Sequence, residues 1–255
     1  MDVIIFAGQS NMVGVGECMP NNCDPIEKAY EYRFVDNSII PLHHPVGENI
    51  FDSTLQASVN GGSIVPAFCR QYTELTGREA VAIHVASGGT SIDQWLPGMP
   101  IYRALLHKVN GGLDLVRQSY VIERVYLVWL QGESDALNRL SDEKYIARLV
   151  YFKNVMKSNF EIDKFCLIRV GYFAKTAAWA KQPPEEKMRW DETIMSAQDK
   201  IVGLDSDFVM LTEICKEISS DIANFNASDI GHYNNASLDR IGTEAGRALA
   251  TVRLN

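Results

Sequence analysis

The chain alternates short, almost continuously apolar segments with longer amphipathic ones, and this alternation limits the folds open to it. Short apolar segments rich in β-branched residues are typical of strands buried on both faces, as in parallel sheets covered by helices. Such segments lie at Val3–Ala7, Ala80–Ala86, Arg124–Leu130, Phe165–Val170 and Asp207–Leu211. The sequence therefore predicts a parallel sheet with helices on both of its faces.

Helical patterns fill the intervals between these strands. They extend over Ile64–Thr76, which ends at Gly77, over Tyr102–Tyr120, which Gly111 and Gly112 interrupt, from Ser141 to about Ser158, from Pro183 to Val202, and from Leu238 to Val252. Alternating strands and helices predict a three-layer α/β/α fold, a doubly wound parallel sheet of the flavodoxin-like kind. We expect one domain over residues 1–255.

Residues 17–62 depart from this alternation, because they are rich in Asn, Pro, Asp and Gly and contain only short apolar pieces. Long loops inside compact domains are uncommon and usually functional. We therefore predict a long loop insertion here that shapes a substrate cleft.

Charge and composition exclude several classes of partner. The net charge of −8 disfavours a nucleic-acid partner, because binding a nucleic acid requires a basic face on the protein. It also disfavours binding to an anionic membrane surface. The longest apolar runs, about six to eight residues, are far shorter than the roughly 20 of a membrane-spanning helix. Without a recognisable signal peptide or CxxC pair, a cytoplasmic location is expected for the chain as given, while a trimmed secreted form and the oligomeric state stay open.

Ser10 lies just beyond the first predicted strand, in the run Gly8-Gln9-Ser10-Asn11-Met12. Ligands of open α/β sheets bind at the carboxyl edge of the strands, and a strand-to-helix turn directs backbone N–H groups toward that edge. Ser10 is thus a candidate nucleophile. The alternative is that it only caps a helix.

Asp229 and His232 lie three positions apart, immediately before the last predicted helix. A carboxylate at this spacing can accept a hydrogen bond from Nδ1 of the imidazole while Nε2 faces outward. Many such pairs are ordinary surface loops, so the pair alone does not decide the function. His84, by contrast, lies within a predicted strand and is expected in the core.

Two further strand ends carry polar or glycine-rich sequences. Gln131 and Glu133 follow the third predicted strand, where buried carboxylates are costly unless they are paired or used. Gly88 and Gly89 follow the second, where glycines permit a close backbone approach. Three strand ends and the final loop would thus each supply a different catalytic part.

Together these segments resemble the four sequence blocks of the SGNH (GDSL-like) hydrolases. The matching blocks are Gly8–Met12, Gly88–Ile92, Gln131–Asp135 and Asp229-x-x-His232. The resemblance is closer to the sialate O-acetylesterase-like branch, which includes acetylxylan esterases of carbohydrate esterase family six. The blocks extend from residue 8 to residue 232, so the resemblance covers nearly the whole chain.

The resemblance implies a serine esterase mechanism. Ser10 would be the nucleophile, His232 the general base and then acid, and Asp229 the group that orients His232. Glu133 is the alternative triad acid, because the glutamate of the third block can also reach the histidine in this branch. No metal or cofactor is implied.

The resemblance also assigns the oxyanion hole to the N–H groups of Ser10 and Gly89 and to the side-chain amide of Gln131. Trp95 is a candidate platform for a sugar ring, with simple packing beneath the loop as the alternative. The full set of candidate substrate-binding residues is Gln9, Asn11, Gln94, Trp95 and Tyr233.

The predicted function is removal of acetyl groups from acetylated sugars or oligosaccharides, such as acetylxylan or O-acetylated sialic acid, through an acetyl-enzyme on Ser10. One alternative is a general short-chain ester hydrolase of the arylesterase or lipase-like kind. Another is a sugar-binding protein that has lost turnover. A nucleotide-binding flavodoxin-like protein is disfavoured, because the sequence lacks a GxGxxG motif and a Walker lysine.

Overall fold

The computed structural model describes residues 1–20, 22–58, 61–173, 184–228 and 231–254. Within these residues the strands form one sheet in the order β3-β2-β4-β1-β5-β6-β7, in which only β3 runs antiparallel to its neighbour. The strands are β1 (Asp2–Gly8), β2 (Ala29–Arg33), β3 (Ser38–Pro41), β4 (Ala80–Ala86), β5 (Arg124–Leu130), β6 (Lys164–Ile168) and β7 (Phe208–Thr212).

Helices cover both faces of the sheet, as the alternating pattern predicts. They are α1 (Ser10–Val13), α2 (Ile64–Thr76), α3 (Pro100–Ser119), α4 (Glu133–Leu137), α5 (Asp142–Asn159), α6 (Pro184–Leu204), α7 (Cys215–Ile218) and α8 (Asn235–Thr251), with 3-10 helices at Ile92–Trp95 and Ile222–Asn224. Pro183, where we predict that a helix opens, lies outside the described residues.

Side-chain alternation along the strands explains the three layers. Phe6 packs edge-on against Phe68 of α2, whose helix also packs along α8. Trp129, on a neighbouring strand, points to the opposite face and packs against Phe152 of α5. Because successive residues of a strand face opposite sides, both faces are apolar and both are covered. The predicted α/β/α architecture is confirmed.

The prediction of a long loop over residues 17–62 is wrong in part, since this stretch contains β2 and β3, which extend the sheet at one edge. These strands carry polar side chains that hide the strand pattern. Glu31 on β2 is 1% exposed, and its carboxylate accepts a hydrogen bond from Gly47 N at 2.6 Å. A buried carboxylate of this kind is tolerated only with such partners.

The predicted interruption at Gly111 and Gly112 is also wrong, because α3 continues through both residues. A Cβ on Gly112 would lie 2.6 Å from Ile83 Cδ1 of β4, closer than real contacts allow. The glycines therefore permit α3 to approach the sheet and do not end the helix. No helix within the described residues is both long and apolar enough to cross a membrane.

Candidate active site

The carboxyl ends of β1, β4 and β5 surround a cavity of about 310 Å³. Ser10 follows β1, Gly88 and Gly89 follow β4, and Ser134 lies on α4 directly after β5. His232, from the loop before α8, closes another side. The remaining wall comes from Gln9, Val15, Gln56, Leu137, Phe173 and Gly231.

Ser10 is the first residue of α1, one position after the turn that ends β1. The turn is fixed because Gln9 N donates a hydrogen bond to Leu130 O of β5 at 3.1 Å. The Ser10 side chain lies beside the glycine turn, since a Cβ placed on Gly88 would be 3.7 Å from Ser10 Cβ. The structure thus places the predicted nucleophile at the carboxyl edge of a central strand.

Two backbone donors adjoin the cavity. Among the described residues, neither Ser10 N–H nor Gly89 N–H donates a hydrogen bond within the protein. Gly89 has a φ of +68°, a backbone conformation that favours glycine, and the space beside its Cα is open. Uncommitted N–H groups at the start of a helix and in a glycine turn can stabilise a developing negative charge.

His232 is half-buried, and hydrogen bonds fix the backbone of its loop at His232 itself and at the next residue. Asn226 N donates to His232 O at 2.8 Å, and the next residue, Tyr233, donates its backbone N–H to Asn11 Oδ1 at 3.3 Å. The Phe173 ring lies 6.4 Å from the imidazole, centroid to centroid. The predicted partner, Asp229, lies outside the described residues, and its role stays a prediction.

Glu133, the alternative acid, is 3% exposed and begins α4. Asn11 Nδ2 donates to its Oε1 at 2.9 Å, while Oε2 has no hydrogen-bond partner among the described residues. Burial raises the pKa of the Glu133 carboxyl above its ordinary value, and the hydrogen bond from Asn11 opposes this shift. Through Asn11, Glu133 is connected to the loop that carries His232.

The assignment of Gln131 to the oxyanion hole is contradicted by the structure. Its side chain is fully buried, and Nε2 donates to Thr90 O at 2.9 Å and to Asp135 Oδ2 at 2.5 Å. Nε2 also lies 3.3 Å from Gln9 Oε1, so Gln131 is held among three acceptors within the protein, connects β5 to the turn after β4, and does not line the cavity.

Trp95 is not a sugar platform. It is 0% exposed, donates from Nε1 to Thr90 Oγ1 at 3.0 Å, and packs edge-on against Trp129 with ring centroids 5.1 Å apart. Gln94 likewise has a local role, because its Oε1 accepts from Ser91 N at 2.9 Å and caps the 3-10 helix. Both residues support the turn after β4 without reaching the cavity.

Asn11 and Tyr233 are also buried and do not line the cavity. Tyr233 Oη donates to Cys215 O at 3.4 Å, and its ring stacks on Phe225. Of the five predicted substrate-binding residues, only Gln9 reaches the cavity wall. Its Oε1 also accepts a hydrogen bond from Ser134 N at 3.2 Å, which fixes the start of α4.

Gln56 and Phe173 are cavity residues that sequence reasoning did not single out. Gln56 lies in the stretch predicted to shape a cleft, but no local pattern marks this residue among its polar neighbours. Phe173 follows β6 beyond the end of the predicted strand. Their positions depend on how distant segments pack, which periodicity does not encode.

Comparison with models of protein families matches residues 1–250 to the family described as carbohydrate esterase, sialic acid-specific acetylesterase. The chain belongs to this family. The enzyme is therefore a carboxylic ester hydrolase of the carbohydrate acetylesterase class, as the sequence blocks predict. A comparison with curated proteins gives no match.

Solved structures share the fold of this esterase at low sequence identity. A protein from Arabidopsis thaliana is similar over 98% of this chain and 98% of its own, with a TM-score of 0.69 and 17% identity. NanS is similar over 98% of this chain and 96% of its own, with a TM-score of 0.61 and 13% identity.

A carbohydrate acetylesterase from Xanthomonas citri is similar over 99% of this chain and 56% of its own, with a TM-score of 0.57 and 16% identity. A lipase/acylhydrolase from Enterococcus faecalis also shares the fold, with a TM-score of 0.56 and 11% identity. The expected SGNH hydrolase fold is thereby confirmed.

Proposed function

We propose that this esterase removes acetyl groups from acetylated sugars or short oligosaccharides through an acetyl-enzyme on Ser10. The observation that carries the proposal is that Ser10, His232 and the Gly88–Gly89 turn line one cavity. A nucleophile, a base and backbone donors are the parts that acyl transfer requires. Ser10 and His232, which contribute two of these parts, lie more than 220 positions apart in the sequence.

In the first half of the reaction, Ser10 Oγ attacks the acetyl carbonyl carbon while His232 accepts the serine proton. The carbonyl oxygen becomes an oxyanion that accepts hydrogen bonds from the N–H groups of Ser10 and Gly89. When this intermediate collapses, the ester C–O bond breaks, and the sugar oxygen leaves with the proton that His232 returns. The acetyl group stays on Ser10.

In the second half, His232 accepts a proton from water, and the resulting hydroxide oxygen attacks the acetyl-serine carbonyl. Collapse returns the proton from His232 to Ser10 Oγ and releases acetic acid, which ionises to acetate in water. Asp229 orients the imidazole throughout and stabilises its charged form. Apart from water, the proposed steps use only side chains and backbone groups of this chain.

An acetylated sugar is favoured as substrate by the family of carbohydrate esterases to which the chain belongs. The cavity volume of about 310 Å³ supports this choice, since it is at the small end of the 300–1,000 Å³ range of ligand sites and suits an acetyl group and part of one sugar ring. Phe173, Leu137 and Val15 give it an apolar wall for the acetyl methyl group and a sugar face.

The test is release of acetate from acetylated xylo-oligosaccharides and from O-acetylated sialic acid, measured side by side for the wild type and Ser10→Ala. We expect release from at least one substrate, and a loss of about 10⁴-fold or more in kcat for Ser10→Ala. Ser158→Ala, at an exposed helix end, is the matched control and should keep full activity.

The two substrates also separate the alternatives. Ser10-dependent release from one of them identifies the acetylated glycan. If neither substrate releases acetate but p-nitrophenyl acetate is hydrolysed in a Ser10-dependent way, the protein is a general short-chain ester hydrolase and not a sugar acetylesterase. Full retention of acetate release by Ser10→Ala would contradict the serine mechanism.

A further inference from the structure

The segment of residues 42–58, which follows β3, places one side chain, Gln56, against the glycine turn of the active site. Gln56 Oε1 accepts a hydrogen bond from Gly88 N at 2.9 Å. The fit is close, because a Cβ on Gly88 would lie 3.1 Å from the same oxygen. Gln56 also lines the cavity that contains Ser10. The mechanism above does not use it.

The backbone around Gln56 is fixed to the sheet. Gln56 N donates to Ala86 O, the last residue of β4, at 2.9 Å. Nearby, Ser58 N donates to Val46 O at 2.9 Å and Ala57 N to Asn49 Oδ1 at 3.0 Å. Gln56 thus contacts the end of β4 and the following turn through both its backbone and its side chain.

A buried ion pair anchors the same segment to α3. Glu48 is 4% exposed, and its Oε2 lies 3.1 Å from Nζ of Lys108, which is 0% exposed. Glu48 Oε2 also accepts from Phe34 N at 2.6 Å. Because breaking a buried, hydrogen-bonded pair is costly, these contacts hold the segment in one arrangement. The segment that carries Gln56 is therefore fixed to α3.

We propose that Gln56 is a positioning residue of the oxyanion hole. By accepting the Gly88 N–H, it fixes the Ser87–Gly88 peptide and, through it, the turn in which the neighbouring Gly89 N–H faces the oxygen of the carbonyl group that Ser10 attacks. A donor aimed before the reaction begins needs no reorganisation when charge develops. The inference rests on the proposed Ser10 mechanism, and in it Gln56 positions a backbone donor and is not itself a donor to the oxyanion.

The test compares Gln56→Met, which keeps the length of the side chain but removes the acceptor, with the wild type. We expect kcat to fall about 10- to 100-fold on p-nitrophenyl acetate and on an acetylated sugar alike, with KM within about twofold, because the interaction lost acts in the transition state. Gln118→Met, the same change on the exposed surface of α3, should leave both constants unchanged.

A second measurement reports the hydrogen bond without activity. Selective ¹⁵N-glycine labelling allows exchange of the Gly88 amide to be followed by NMR. We expect protection in the wild type, faster exchange in Gln56→Met, and retained protection in Gln56→Glu, whose carboxylate can still accept from Gly88 N–H. Gln56→Glu thereby separates loss of the acceptor from disturbance of the whole segment.

Three results would overturn the inference. They are a kcat of Gln56→Met within twofold of the wild type, Gly88 exchange that the substitution does not change, and an effect confined to KM for the sugar substrate, which would make Gln56 a sugar-binding residue. An active wild type with an unaffected Gln56→Met refutes the inference alone. Loss of Ser10 dependence refutes the proposed function, while the exchange measurement still reports the Gln56–Gly88 bond.

Discussion

Asn11 connects two active-site segments that are distant in sequence. Its Nδ2 donates to Glu133 and its Oδ1 accepts the backbone N–H of Tyr233, next to His232. Because both ends of the amide are bonded within the protein, the Asn11 side chain is not available to substrate, although Asn11 is adjacent to the proposed nucleophile Ser10. The residue instead sets where the histidine loop lies relative to Ser10.

We therefore predict that Asn11→Leu lowers kcat by about 10- to 100-fold with little change in KM, because His232, the proposed general base, loses its position. The substitution also leaves Glu133 without its hydrogen bond, so the free energy of unfolding should fall by about 1–3 kcal/mol. Steady-state kinetics and urea unfolding measure the two effects. Asn110→Leu on the exposed face of α3 is the control, and a wild-type kcat for Asn11→Leu would contradict the positioning role.

The site residues show which assignments sequence can make. Ser10 and Gly89 follow strands that periodicity locates, so their place at the sheet edge was predictable. Gln131 was equally well placed in sequence, but its amide is directed at Thr90 and Asp135 inside the protein. Gln56, on a segment with no clear pattern, reaches the cavity instead. Side-chain direction depends on neighbours that only the folded chain brings together.

At the scale of elements, helices were predicted more accurately than the sheet edge. The Ile64–Thr76 helix ends at Gly77 as predicted, because Gly77 takes a φ of +69° and its N–H caps Thr73 O. The strands β2 and β3 were missed because their polar residues are balanced by partners from other segments, as with Glu31 and Gly47. Sequence periodicity reveals strands with an apolar face, but it does not reveal strands whose buried polar residues are paired with other segments.

The packing of α8 against α2 gives a prediction at this scale. A Cβ on Gly242 of α8 would collide with the backbone oxygen of Ile64, which cannot move away as a side chain could. Gly242→Ala should therefore lower the free energy of unfolding by about 1–3 kcal/mol, although alanine is the better helix former.

Gly203→Ala is the matched control for this prediction. Gly203 lies in α6, and a Cβ there would meet no atom within 4 Å. The same substitution should stabilise the protein by about 0.5–1 kcal/mol, because only helix propensity changes. Chemical denaturation measures the change in unfolding free energy for both variants. A change of the same sign in both would contradict the packing argument.

At the scale of the whole molecule, buried histidines make stability depend on pH. His84, expected in the core, is 1% exposed and its Nε2–H donates to Met12 O at 2.9 Å. Burial lowers the pKa of His84 from 6.5 to about 4. Between these values the unfolded chain binds the proton more strongly than the folded one, so this contribution to stability is lost as pH falls from about 6.5 to about 4.

We predict that the difference in unfolding free energy between the wild type and His84→Gln narrows as pH falls from 7 to 4, by at most about 3 kcal/mol. The difference isolates His84 from Asp135, whose pKa burial raises to about 6 and whose contribution therefore has the opposite sign. Urea unfolding at several pH values measures it. A constant or widening difference would show that His84 does not govern acid sensitivity.

The hydrogen bond between Asn11 and Tyr233 spans 222 positions of the chain. During synthesis, residues near the amino terminus leave the ribosome first, so β1 and the serine turn exist long before the histidine loop is available. The histidine loop can dock on α1 only once residues 226–233 have emerged. In a nascent chain, the contacts that place His232 beside Ser10 consequently cannot form before residues 226–233 have left the ribosome.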